Sequence, residues 1–390
     1  MNREFSFGKK GTKMNILQIS IQAPGYNSGG TLGILQFSYA LTRKNSVTYI
    51  GPKIESADIE SWFKNTMYMS RKLTLIEKVK SLIHLQVDKY YILWNELDVD
   101  FNEYDLIYID FTRSDFVIKR IRKSGYKGKI IVRAHNVEKD YLQVEYKSEK
   151  NLPSFIRSAL AASREKYMID EADIVLAITP EDKKRLIELY GTSERKIYVC
   201  PVGVNTAQKR RENSINREKK LNCLITGSLW FGPNAEGTLW VLNEVFPRVA
   251  DICRLTIAGA KPNNEIRDAC KKKDAVLVES PESMKPYFET ADMVLVPIFD
   301  GGGMKVKIAE AMSYNLPVVT TSHGKIGYKI VNHKNGFISD TPDGFASGIR
   351  EFYLMNQKER KQFLDEEWKL YEQNYSLEAI CEVLQKIIET

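Results

Sequence analysis

The residues best suited to chemistry lie close together: Asp300, Gly301, Gly302, Gly303, Met304, Lys305, Lys307 and Glu310. Three consecutive glycines let a backbone approach a ligand closely, and the helix start that follows leaves N–H groups unpaired. An anion, phosphate above all, is favoured at such a turn. Lys305 and Lys307 add positive charge in the first turn, where the helix dipole alone disfavours it. Glu310, one turn further, can accept hydrogen bonds from hydroxyls. The competing reading of the same residues is a tight turn followed by a solvated i,i+3 pair of Lys307 and Glu310.

A second set lies early in the chain. Gly29 and Gly30 again separate a strand pattern, NILQIS at 15–20, from a helical one at 31–43. His135 and Asn136 end the strand pattern KIIVRAH and so fall where ligands of parallel sheets bind, beyond the carboxyl ends of the strands. Metal chemistry finds little support: His84, His135, His323 and His333 never stand at ligand spacing with a second strong ligand, and Asp98 and Asp100 follow no strand. Neither half carries GxGxxG, which argues against a nicotinamide or flavin enzyme.

The elements that must position these residues alternate. Strand patterns at 47–52, 105–110, 129–135, 174–179 and 196–203 are separated by helical ones at 115–123, 154–170 and 181–190. After the charged stretch 204–220 the rhythm restarts with strands at 222–229, 254–260, 275–280 and 293–298 and helices at 235–250, 264–272 and 304–315. Alternation of this kind predicts parallel sheets covered by helices on both faces. A 390-residue chain is too long for one ordinary core. The expectation is therefore two Rossmann-like α/β domains facing each other across a cleft, residues 14–203 and 221–374, with a linker at 204–220. A loose leader covers 1–13, and a last helix at 375–390 could pack back on the first domain. Residues 56–100 interrupt the rhythm with long amphipathic helices. Their apolar side chains are expected to pack on the core with lysines solvated, a membrane surface being the other option.

Composition narrows the partners. With 57 Lys and Arg against 50 Asp and Glu the chain carries +7, spread instead of blocked, so nucleic acid is not implied. The excess suits anionic small molecules or an acidic membrane surface. Five singly spaced cysteines read as reduced, buried thiols. With no signal peptide and no long apolar span, they point to a cytoplasmic protein, a place at the inner membrane surface being the further option.

Taken in order, these segments resemble the glycosyltransferases of two-Rossmann (GT-B) architecture, family 4 type. The resemblance rests on TGSLWFGPNAEGTLWVLNEVFP, RLTIAG, ADMVLVPIFDGGGMKVKIAEAM and LPVVTTSHGKIG in the second half. In the first half it rests on the Gly29–Gly30 loop, RAHNVE, ADIVLAITPEDKKRL and CPVGVNT. It implies a UDP- or GDP-sugar donor held mainly by the C-terminal domain. The acceptor, held mainly by the N-terminal one, would be a saccharide, a lipid-linked saccharide or a protein. Glu310 matches the glutamate on the nucleotide ribose, and Gly301, Gly302, Gly303, Met304 and Lys305 match the loop facing sugar and diphosphate. Gly29 and Gly30 match a loop near the phosphate, and His135 a histidine near the transferred sugar. Asn136 and Tyr141 border the acceptor side. The resemblance implies retention at the anomeric carbon and no obligatory metal or other cofactor.

Two departures matter. Many members carry two glutamates with seven residues between them, and Gly302 stands where the first would be. The usual basic pair after the first C-terminal strand is absent, since Gly227 and Ser228 lead into Leu229 and Trp230. Lys305 and Lys307 are expected to replace that charge, with Lys305 and His135 as the catalytic pair. A sugar-nucleotide epimerase of the same shape and a non-catalytic partner subunit are the alternatives.

Overall fold

The computed structural model describes residues 13–25, 29–83, 85–86, 90–205 and 219–390. The leader up to residue 12, His84 and the body of the linker, 206–218, lie outside the described residues. Contacts divide the chain into two units: the chain up to Leu176 with Ile187–Tyr198, and Ala177–Leu186 with Val199–Thr390. The segment 375–390 groups with the second unit, where Val204 N donates to Tyr375 O at 2.9 Å and Leu377 N to Val204 O at 3.1 Å.

The first sheet contains β1 (Asn15–Ile19), β2 (Ser46–Gly51), β3 (Asn65–Tyr68), β4 (Leu106–Asp110), β5 (Lys129–Ala134), β6 (Ile174–Ala177) and β7 (Ile197–Val199). Their order is β3-β2-β1-β4-β5-β6-β7. The central strands are buried on both faces, as their near-continuous apolar runs require: Leu106, Ile107, Tyr108 and Ile109 of β4 are fully covered. Where the pattern predicts helices through 56–100, the structure instead inserts β3 between short helices. That strand lies at the sheet edge, only partly buried, and so lacks the apolar run or clean alternation that marks a strand in sequence.

The second sheet contains β8 (Leu221–Ser228), β9 (Cys253–Ala260), β10 (Val276–Glu279), β11 (Met293–Val296), β12 (Val318–Thr320) and β13 (Phe337–Ile338), ordered β10-β9-β8-β11-β12-β13. Alternate residues of its strands enter separate cores. Cys223, Ile225, Leu255 and Ile257 meet Val245, Phe345 and Phe352, while Leu224, Ala258 and Val294 meet Ile308, Ala311 and Met312. Each buried Leu, Ile, Val, Phe or Met among them contributes on the order of 1.5–3 kcal/mol. Both sheets have the doubly wound order, whose reversal falls between β1 and β4 and between β8 and β11. Ligands of such sheets bind beyond the strand ends at that reversal.

Candidate active site

In the second unit the site is built at the ends of β8 and β11. Gly301 and Gly303 have φ of 95° and 70°, a left-handed backbone that glycine adopts without strain. This conformation turns the loop carbonyls inward onto one cation: Lys305 Nζ donates to the carbonyls of Gly301, Gly302 and Gly303 at 2.7, 3.1 and 2.9 Å. His323 Nε2 lies 2.8 Å from the same Gly301 oxygen, and Asp300 accepts from Gly301 N at 2.6 Å. Among the described residues, the N–H groups of Gly302, Gly303 and Met304 then donate to no protein acceptor. The helix Val306–Ser313 follows directly. The arrangement is a run of unpaired backbone donors with a half-buried cation behind it, a set suited to an anion.

Lys307 closes the other side. Its Nζ donates to Thr226 O at 2.6 Å and to Asn234 Oδ1 at 2.8 Å, while Asn234 Nδ2 holds Ser228 O at 3.1 Å. A Cβ on Gly227 would stand 2.8 Å from that Nζ, so the strand end has no side chain there because the lysine occupies the space. Burial lowers both Lys305 and Lys307 to about 8; Asp182 and Asp300 oppose the shift at Lys305, and Glu310 opposes it at Lys307. The sequence places both lysines toward a ligand. The structure directs them into the loop and the strand end, where they organise the backbone from behind. Asn234 is a member of this group that sequence reasoning missed.

Glu310 sits one turn beyond Lys307, half-buried, and its carboxylate makes no hydrogen bond among the described residues. Burial raises its pKa, Lys307 opposing. A carboxylate without protein partners in a partly buried place is suited to accept from ligand hydroxyls.

In the first unit, Gly29 and Gly30 begin the helix Gly29–Thr42, although residues 26–28 of the loop before it are outside the described residues. His135 is buried just beyond β5, with Nε2 at 3.0 Å from Asp110 Oδ1. Burial, reinforced by Arg133, lowers its pKa to about 4 against the opposing Asp110, so the ring is neutral. With Nε2–H donating to the carboxylate, Nδ1 is left as an acceptor. Asp110 also accepts from Gln18 Nε2 at 3.0 Å. Phe111, at φ 74°, is strained for an aromatic residue, and its ring stacks on His135 at 4.0 Å.

Arg133 is the residue sequence reasoning passed over, since it lies within an apolar strand run. It is fully buried, 3.7 Å from Asp110 and 3.7 Å above the Phe37 ring, with Nε and Nη2 unpartnered among the described residues. A Cβ on Gly33 would lie 3.0 Å from Nη2, so glycine in that helix leaves room for the guanidinium. Asn136 is half-buried beside this group and Tyr141 is more exposed, on the helix Glu138–Glu149. Glu165 receives the first N–H groups of that helix, from Glu138 at 2.9 Å and Lys139 at 3.1 Å. Among the described residues no three His, Cys, Asp or Glu gather as a metal site, and no helix is long and apolar enough to cross a membrane.

The model of the group 1 glycosyl transferases matches residues 220–354, and that of glycosyltransferase family 4 matches residues 41–208. The chain overlays on sucrose-phosphate synthase from Thermosynechococcus elongatus with a TM-score of 0.72 at 16% identity, covering 97% of this chain and 98% of that one. It overlays on HepE of Anabaena, in complex with UDP and glucose, with a TM-score of 0.69 at 13% identity, covering 97% and 100%. A 44.6 kDa protein of the cps region of Klebsiella pneumoniae is 28% identical over 172 residues, 41% of this chain and 44% of that protein, so the match spans less than half of the relative. With one model on each sheet unit and a shared two-sheet fold, the chain belongs to the family 4-like, group 1 glycosyltransferases of GT-B architecture.

Proposed function

We propose that the protein transfers a hexose from a nucleotide-sugar to a saccharide hydroxyl, with retention and without an obligatory metal ion. One observation carries the reading. Lys305 draws three carbonyls inward, leaving the Gly302, Gly303 and Met304 N–H groups free where a diphosphate would gather charge. Donors fixed in advance at a leaving group stabilise the transition state more than the ground state. In this reading Glu310 accepts from the ribose hydroxyls and His135 Nδ1 accepts from a hydroxyl of the transferred sugar. Gly29 and Gly30 complete the phosphate contacts, and Asn136 and Tyr141 serve the acceptor. Lys305 and Lys307 act from behind the loop by fixing its shape and adding field. UDP is the favoured nucleotide, because HepE was obtained with UDP and glucose. The partial match to a cps-region protein favours a role in surface polysaccharide synthesis; our reading takes the acceptor to be a saccharide carried on a lipid at the inner membrane surface.

The test is incubation of purified protein with labelled UDP- and GDP-sugars in the presence of EDTA. Slow release of free sugar from one donor is expected. A changed sugar on an intact nucleotide would assign an epimerase, and no binding of either nucleotide would leave a non-catalytic subunit.

A further inference from the structure

The helix Leu75–Ile83 is mounted on the first unit with its apolar side outward. Leu75, Ile76, Val79 and Ile83 are 78%, 69%, 51% and 72% exposed, whereas Ser81 is buried. At 3.6 residues per turn the four apolar side chains share an arc of about 100°, and Ser81 lies opposite. A helix of a soluble protein carries the reverse arrangement, apolar inward. The expectation that this face packs on the core is therefore overturned. The helix is also held firmly. Arg71 binds Glu77 at 2.6 Å and Glu96 at 3.1 Å, and Thr74 N donates to Glu77 at 2.7 Å. Beyond the helix, Gln86 reaches Asp115 at 3.3 Å and Arg164 holds the Leu85 carbonyl at 2.5 Å.

We propose that this face lies in the headgroup boundary of an anionic lipid bilayer. Charge chooses the occupant. Lys78 and Lys80, both exposed, border the apolar arc on either side, and Lys72 precedes it. The one acidic side chain of the helix, Glu77, is held by Arg71 away from the arc. Lysines at both borders of an apolar stripe let their stems lie along it while the ammonium groups reach lipid phosphates. Leu152 and Phe155, exposed at the start of the helix whose Arg164 holds Leu85, add apolar surface to the same unit. The proposal rests on the lipid-linked acceptor reading for its purpose, since it brings the enzyme to such an acceptor, but its test needs neither donor nor acceptor.

The full chain is sedimented at low salt with phosphatidylcholine vesicles, with and without phosphatidylglycerol, and UDP affinity is measured in parallel. Binding to the anionic vesicles is expected, about tenfold weakened by Ile76→Ser with Ile83→Ser. Lys78→Gln with Lys80→Gln should flatten its salt dependence. Both double variants should keep the UDP affinity of the parent, which shows that they fold. No binding to anionic vesicles, or equal binding by the isoleucine variant, overturns the proposal. Dimerisation abolished by that variant, without vesicle binding, assigns the face to a second copy instead. Vesicle binding by a protein that ignores UDP supports the membrane face and overturns the transferase reading alone.

Discussion

The ammonium of Lys305 lies 2.7 Å from the carbonyl oxygen of Gly301, and His323 Nε2 meets that oxygen at 2.8 Å. A lysine at the start of the eight-residue helix Val306–Ser313 opposes the helix dipole, yet here it is what turns the glycine loop. Replacing it with methionine keeps the stem and removes the charge. The Gly302 and Gly303 carbonyls then lose their donor and turn back toward the cradle, while the Gly301 carbonyl keeps only His323. Hydrogen bonds to a charged group contribute about 1.5–3 kcal/mol, so Lys305→Met should weaken UDP binding by about 10–100-fold in calorimetry.

The same lysines set a pH dependence. Lys305 and Lys307 are lowered to about 8, so both are charged below that pH and neutral above it. An anion binds the charged form better, and above pH 8 binding must take up a proton. UDP affinity should hold below pH 8 and decline above it, by up to about tenfold per pH unit for each lysine. Affinity that stays level to pH 10 would show that neither lysine senses the ligand.

In the proposed reading Asp110 acts through His135, which it holds at 3.0 Å, and not on the sugar. Asparagine at 110 presents either an amide oxygen or an N–H to Nε2, so the tautomer is no longer imposed. Asp110→Asn should slow transfer at least about tenfold while the UDP dissociation constant stays within about twofold. It also leaves the buried Arg133 without its carboxylate, which costs about 3–5 kcal/mol in thermal or denaturant unfolding. A variant that loses stability but turns over normally would make the Asp110–His135 contact structural only.

Two buried groups oppose each other in acid stability. His135 is lowered from 6.5 to about 4, so its contribution is full above pH 6.5 and is lost as pH falls toward 4. Burial raises Glu138 from 4.5 to about 7, against the attraction of Arg113, so its contribution is full below pH 4.5 and is lost as pH rises through 7. Between pH 4.5 and 6.5 the two slopes cancel. Glu138→Gln removes one of them. That variant should lose about 3 kcal/mol more than the parent between pH 6.5 and 4.5, read from urea midpoints at each pH.

The glycine loop and Glu310 were legible in the sequence because they are local: strand, glycines and helix follow within one short segment. The two sheets were legible for the same reason, as apolar runs at regular spacing. The Asp110–His135–Arg133 group was not, since Asp110 meets the other two only through the register of β4 with β5, which pairs Asp110 with Arg133. The inward direction of Lys305 depends on the left-handed backbone at Gly301 and Gly303, which residue types alone do not specify. Edge strand β3 and the outward face of Leu75–Ile83 were misread because both depend on what lies beside them, and periodicity reports only that one side of an element differs from the other.

The most direct measurement compares UDP with uridine by calorimetry, in the parent and in Lys305→Met. If the backbone donors ordered by Lys305 hold the diphosphate, UDP binds the parent at least about a hundredfold more tightly than uridine, and the substitution narrows that ratio by about tenfold or more. Equal affinities for UDP and uridine in the parent, or a ratio unchanged by the substitution, would contradict the phosphate-binding role of the loop.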